Sequence, residues 1–224
     1  MRETWMNREK YEEYLSQHYL SNRGKWLIYH EEFETEDIHL DIVMMPPDSE
    51  TGQDFWILTT MGMSEHKMNV RKEFESYNLE RAELVMFLPA DWKFSSPNTK
   101  LQRDKVSIGD NWPLYLMQDL ARLPICYNTW LGARHFIKHE DLQKSTKFHS
   151  VLLLNALDAD LKLMEDCILD KDYKVNFYQM YLLYQEEQKM IDKHGEAGID
   201  FLMENGLWKK RIIDPHRQPV VLCA

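Results

Sequence analysis

The run at 82–88, Ala-Glu-Leu-Val-Met-Phe-Leu, is apolar at every position except Glu83, and Pro89 stops it. Side chains on a strand alternate between its two faces, so a run without a polar face belongs to a strand buried on both sides. Such a strand needs cover above and below, and the chain supplies it. Residues 7–20 (with the N-terminal helix extending to about 21) place Tyr11, Tyr14, Leu15, His18 and Tyr19 at helical steps, and Asn22-Arg23-Gly24 follows as a stop. Residues 113–123 form a second helix with a stripe of Leu116, Met117, Leu120 and Leu123, ended by Pro124. Residues 185–204 form a third, with Met190, Ile191, His194, Ala197, Phe201 and Leu202 on its apolar face.

Further strands are expected at 38–45, where Ile38, Leu40 and Ile42 alternate with His39 and Asp41, and at 55–60. Residues 48–52 make the hairpin between them. A strand at 148–154 precedes a strong one at 174–184, rich in Val175, Phe177, Tyr178, Tyr181 and Tyr184. Residues 210–213 read as a short last strand, and 95–111 as a long surface loop. Strands grouped without strict helix alternation indicate an α+β fold, with a mixed, largely antiparallel sheet flanked by helices. No linker or repeat divides the 224 residues, so one domain over 1–224 is expected, with its core at about 30–217.

Net charge is −10, from 27 Lys+Arg and 37 Asp+Glu, and the longest basic cluster is Lys209-Lys210-Arg211. Phosphate contact requires basic clusters, so no nucleic-acid partner is expected. The acidity suits a basic protein partner. The three cysteines, Cys126, Cys167 and Cys223, are widely spaced and indicate no disulfide framework or cysteine zinc site. The first residues carry no apolar stretch, and no run approaches the ~20 residues of a membrane span. A cytoplasmic location and no membrane partner are expected.

No catalytic constellation emerges. His30-Glu31-Glu32-Phe33-Glu34 lacks the second His that a zinc-protease helix needs at position 34. His39 and Asp41 share one strand face and form a hydrogen-bonded pair, with His30 the available third group for a metal. Ser64, in Gly62-Met63-Ser64, reads as a cap or turn residue beside a Gly of unusual backbone angle, not a nucleophile. Cys126 reads as a buried, inert thiol despite His135 downstream. His194 reads as a core histidine. Glu186 and Glu187 sit where the last long strand becomes a helix and favour the helix N-terminus.

Several ordered motifs carry a resemblance. These are His39-Leu40-Asp41-Ile42; Thr60-Met61-Gly62-Met63-Ser64; Ala82-Glu83-Leu84-Val85 with Leu88-Pro89; Trp112-Pro113; and Leu116 to Arg122, within the segment 114–132. Asn128-Thr129 leading to His135, Lys174 to Phe177 with Glu186-Glu187, and Asp214-Pro215-His216-Arg217 complete them. Their order and spacing resemble the Suppressor of fused (SUFU) domain family over about 30–217. The resemblance implies an α+β sandwich. One-domain members resemble bacterial immunity proteins that neutralise a cognate toxin. Larger animal relatives carry a further C-terminal domain and clamp a peptide of Hedgehog-pathway transcription factors. This chain is too short for that second domain, and Arg134 stands where the animal proteins are acidic.

The resulting expectation is a non-enzymatic protein-binding module, most simply an immunity protein or antitoxin acting on a toxin or effector. Its binding cleft would lie near Met63, Ser64, Trp130, Arg134 and His135, rimmed by His39 and Asp41. No catalytic residue, cofactor or metal is expected. The alternatives are an uncharacterised hydrolase or metal-binding enzyme using His30, His39, Asp41 and His135, and a scaffold inside a larger assembly.

Overall fold

The computed structural model describes residues 2–30, 38–94, 111–164, 167–170 and 173–220. Its frame is an eight-stranded sheet. The strands are β1 (Leu27–His30), β2 (Asp41–Met45), β3 (Phe55–Met61), β4 (Ala82–Pro89), β5 (Phe136–Lys138), β6 (Ser150–Asn155), β7 (Cys167–Asp170) and β8 (Tyr173–Leu183). They run in the order β1-β2-β3-β4-β8-β6-β5, with β7 also paired to β8. Every pairing is antiparallel except β4–β8, which is parallel. The sheet is therefore mixed and largely antiparallel, as the sequence indicates.

Strand β4 is buried from Ala82 to Leu88. One face of the sheet packs against helix α2 (Trp112–Cys126): Ile42, Leu58, Leu84, Met86, Met180 and Leu182 meet Leu116, Met117 and Leu120. The opposite face packs against helix α1 (Arg2–His18), where Tyr11 and Leu15, with Tyr19 just beyond it, meet Val43, Ile57, Val85, Phe87 and Phe177. The same face farther along β8 receives α4 (Gln185–His194) and α5 (Glu196–Glu204), through Ile191, Ile199 and Leu202 against Tyr181 and Leu183. Burying a side chain such as Leu15 contributes roughly 1.5–3 kcal/mol, so three apolar clusters on two faces hold the layers together.

Several expectations are corrected. Helix α2 runs through Pro124 to Cys126. Proline lacks one helical donor, but its φ is helical, so the last turn tolerates it. The single helix expected at 185–204 is two helices, broken at Gly195 with φ +56. A Cβ on Gly198 would lie 2.7 Å from the Met190 carbonyl oxygen, so glycine there lets α5 press against α4. The break shifts the helical phase of α5, and Ala197, expected on the apolar face, is exposed; His194, in the last turn of α4, is exposed as well rather than in the core. Cys126 is exposed too, not buried. The expected last strand is a 3-10 helix, Leu207–Lys210, followed by one bridge between Ile212 and Phe87. Residues 38–40 precede β2 instead of opening it, and β1, β5, β7 and the short helix α3 (Leu142–Ser145) add to the elements expected from the sequence. The surface loop expected at 95–111 lies almost wholly outside the described residues, as does Cys223.

Candidate functional site

The turn after β3 is organised by one buried carboxylate. Glu83, 1% exposed in β4, accepts the backbone N–H groups of Gly62 and Ser64 on Oε1, both at 3.0 Å. Its Oε2 accepts the Thr60 hydroxyl at 2.6 Å, and Thr60 Oγ1 accepts the Leu84 N–H at 2.8 Å. Burial pushes the Glu83 carboxyl above the ordinary glutamate value, while these hydrogen bonds pull it back. Gly62 has φ +119, and a Cβ there would lie 2.0 Å from the His39 carbonyl oxygen. Gly62, not Ser64, precedes the 3-10 helix Met63–Glu65, and Ser64 makes no side-chain cap. The Ser64 carbonyl accepts bonds from Arg81 at 2.6 Å and the Tyr173 hydroxyl at 2.9 Å. Met63 and Ser64 are thus buried supports.

From this turn the chain runs to Met68 and Asn69, whose N–H donates to the Thr129 carbonyl at 3.1 Å. That contact joins the 3-10 helix Lys72–Tyr77 to the segment between α2 and β5. Between them opens a groove of about 1030 Å³. Its walls include Phe74, Tyr77, Trp130 and Tyr178, with Arg134 and His135 beside them. Trp130 stands edge-on to His135, ring centres 4.4 Å apart, and Phe74 tilts against Trp130 at 5.6 Å. Burial holds the His135 imidazole below its ordinary value of 6.5, and the Arg71 cation acts in the same direction. His135 is therefore neutral at pH 7 and can donate through one ring nitrogen and accept through the other. Arg134 has φ +69; its guanidinium bonds Glu196 at 2.6 Å and Asp200 at 2.8 Å, tying the groove to α5.

His39 and Asp41 form a separate cluster. Asp41 opens β2, opposite His30 at the end of β1. Its Oδ1 lies 2.9 Å from His30 Nδ1 and 3.2 Å from His39 Nε2, and Arg8 reaches Oδ2 at 3.3 Å. Asp41 is 1% exposed and cannot rim a cleft. The structure thus brings Trp130, Arg134 and His135 together in the groove, and His39 and Asp41 together with His30 elsewhere. A smaller cavity of about 280 Å³ beside α2 and α3, lined in part by Gln118, His139 and Ser145, includes none of the binding residues expected from the sequence.

A sequence model of the family described as Suppressor of fused protein (SUFU) matches residues 36–218. The chain belongs to the Suppressor of fused family. An uncharacterized protein of Ureaplasma parvum serovar 3, UU111, is 25% identical over 172 residues, spanning 75% of this chain and 76% of that protein. A chain of the Sufu–Fu complex crystal structure matches with a TM-score of 0.61 at 15% identity, covering 95% of this chain and 91% of the other. Drosophila Suppressor of Fused matches with a TM-score of 0.57 at 17% identity, covering 94% of this chain and 50% of that one. These structures share the fold.

Within this Suppressor of fused fold, two of the motifs read from the sequence become one unit: Glu83 of Ala-Glu-Leu is the acceptor for the Thr-x-Gly-Met-Ser turn. The closing Asp-Pro-His-Arg motif pairs with the Glu-Glu motif in the same way. Arg217 donates to both carboxylate oxygens of Glu187, at 2.6 and 2.7 Å, with both side chains buried. Glu187 also accepts the N–H of Tyr184 at 2.8 Å and of Val220 at 2.7 Å. It closes the N-terminus of α4, but as half of a buried ion pair rather than an exposed dipole partner. Groove residues missed from the sequence include Arg71, Phe74 and Tyr77. The signal was the three-residue step from Phe74 to Tyr77, the period of a 3-10 turn.

Proposed function

We propose that this chain is a non-catalytic protein-binding domain spanning residues 1–224, and that it serves as an immunity protein or antitoxin, blocking a cognate toxin in the cytoplasm by direct binding. The groove carries this reading. Trp, Tyr and Arg dominate binding hot spots because each presents a large contact area and a polar handle. Trp130, Tyr77 and Arg134 line one concavity open to a segment of another protein. Neutral His135 offers a donor and an acceptor beside them. Support also comes from the family itself and from the match to a Suppressor of fused chain solved in complex with Fu. The charge of −10 favours a basic partner surface and makes association weaken with salt. Among the described residues no helix is long and apolar enough to cross a membrane.

The test is affinity capture from the native host, followed by expression of the captured protein with and without this chain. The expected result is one stoichiometric partner that arrests growth alone and is silenced by co-expression. Trp130→Ala should weaken capture about thirtyfold, the ~2 kcal/mol of a hot spot. A partner without toxicity would remove the immunity reading. Capture untouched by Trp130→Ala and His135→Ala, in folded protein, would remove the groove.

A further inference from the structure

We propose that His30, His39 and Asp41 form a binding site for a divalent transition-metal ion, best suited to zinc, that fastens the edge strand β1 to β2. Imidazole nitrogen and carboxylate oxygen together are the donor set of zinc and its first-row neighbours. The three donor atoms lie within 4.8 Å of one another. Donors about 2.0–2.2 Å from an ion sit roughly 3–3.5 Å apart. The two His–Asp separations, 2.9 and 3.2 Å, are close to that edge length, and the two imidazoles, within 4.8 Å of each other, close further to share one ion, which their exposed side chains permit.

The donors come from the end of β1, the segment entering β2 and the first residue of β2, and the β1–β2 pairing brings His30 to the other two. The carboxylate is already oriented. Arg8 holds Oδ2 at 3.3 Å, which leaves Oδ1 to face both imidazoles. Ligating carboxylates in built sites are commonly held this way by an outer partner. The histidine side chains are 64% and 53% exposed, so an ion enters from solvent and water completes its shell. Each imidazole would present the nitrogen that now faces Asp41, with its proton on the other ring nitrogen. This departs from the sequence expectation of no metal and is independent of the groove.

Tag-free protein, stripped with a chelator, is titrated with ZnCl2 by calorimetry, and its thermal unfolding is followed with ZnCl2, MgCl2 or CaCl2 added. The expected result is one ion per chain with a dissociation constant of low micromolar or tighter, and a raised Tm with zinc alone. His30→Ala and His39→Ala should each weaken uptake at least tenfold, and the double variant should abolish it, while His194→Ala leaves it unchanged. Because both histidines are exposed, these variants keep the fold, and circular dichroism verifies it. No saturable zinc uptake, or stoichiometric uptake surviving in the double variant, overturns the site.

Discussion

Glu83 accepts the backbone N–H of Ser64 at 3.0 Å across 19 positions of the chain. The same oxygen holds Gly62, and its partner oxygen holds Thr60. Glu83→Leu leaves these donors buried without acceptors, at about 1–3 kcal/mol each. The expected loss is at least about 3 kcal/mol of unfolding free energy, measured by urea denaturation.

Glu83 also sets a pH dependence. Burial raises its carboxyl above the ordinary value of 4.5, so the folded chain holds this proton more tightly than the unfolded chain. The resulting stabilisation is full below about pH 4.5 and is lost as pH rises through the raised value. Glu83→Gln removes this contribution. Its stability relative to the native chain should therefore improve as pH rises from about 4.5 through the raised value and level off above it, and a difference independent of pH would contradict the assignment.

Gly62→Ala combines a positive φ with a Cβ 2.0 Å from the His39 carbonyl oxygen. Gly52 also has positive φ, +78, but its Cβ would meet nothing within 4 Å. Left-handed backbone alone costs a non-glycine residue about 1–2 kcal/mol. Gly52→Ala should lose about that much and Gly62→Ala clearly more, compared by denaturant midpoints.

Arg217 and Glu187 form a buried, bidentate pair. Removing one partner strands the other charge, at roughly 3–5 kcal/mol. Arg217→Met or Glu187→Met alone should each be that severe, whereas the double variant recovers much of the loss. A double-mutant cycle with additive effects would show that the two do not act as a pair.

Cys126 is exposed and Cys167 buried, with burial pushing the Cys167 thiol up to about 12. Only thiolate reacts with alkylating reagents. Mass spectrometry after brief alkylation of native protein should find Cys126 modified and Cys167 intact, and both modified after unfolding.

The parts legible from the sequence are those where a local pattern carries the cause. The 82–88 run is apolar on both faces, so its central place in a covered sheet follows from alternation alone. The stripes of α1 and α2 likewise name the faces they bury. The misses are short or tertiary. β1, β5 and β7 span three or four residues each, too few for a period to show. The Gly195 break hides inside a continuous helical pattern, and with it the exposure of Ala197. The groove draws on segments from Asn69 to Glu196, which no local reading connects.

The sequence by itself determined the α+β class, the central strand, the family and the residue types available for binding, because alternation, helical period and motif order are local or linear properties. Tertiary structure alone decided which of those residues meet. It buried Met63 and Ser64 under the Glu83 carboxylate, set His39 and Asp41 apart from the groove of Trp130, Arg134 and His135, and brought His30 to Asp41. The reason is that strand pairing and packing against both sheet faces, not spacing along the chain, set distances between residues far apart in sequence.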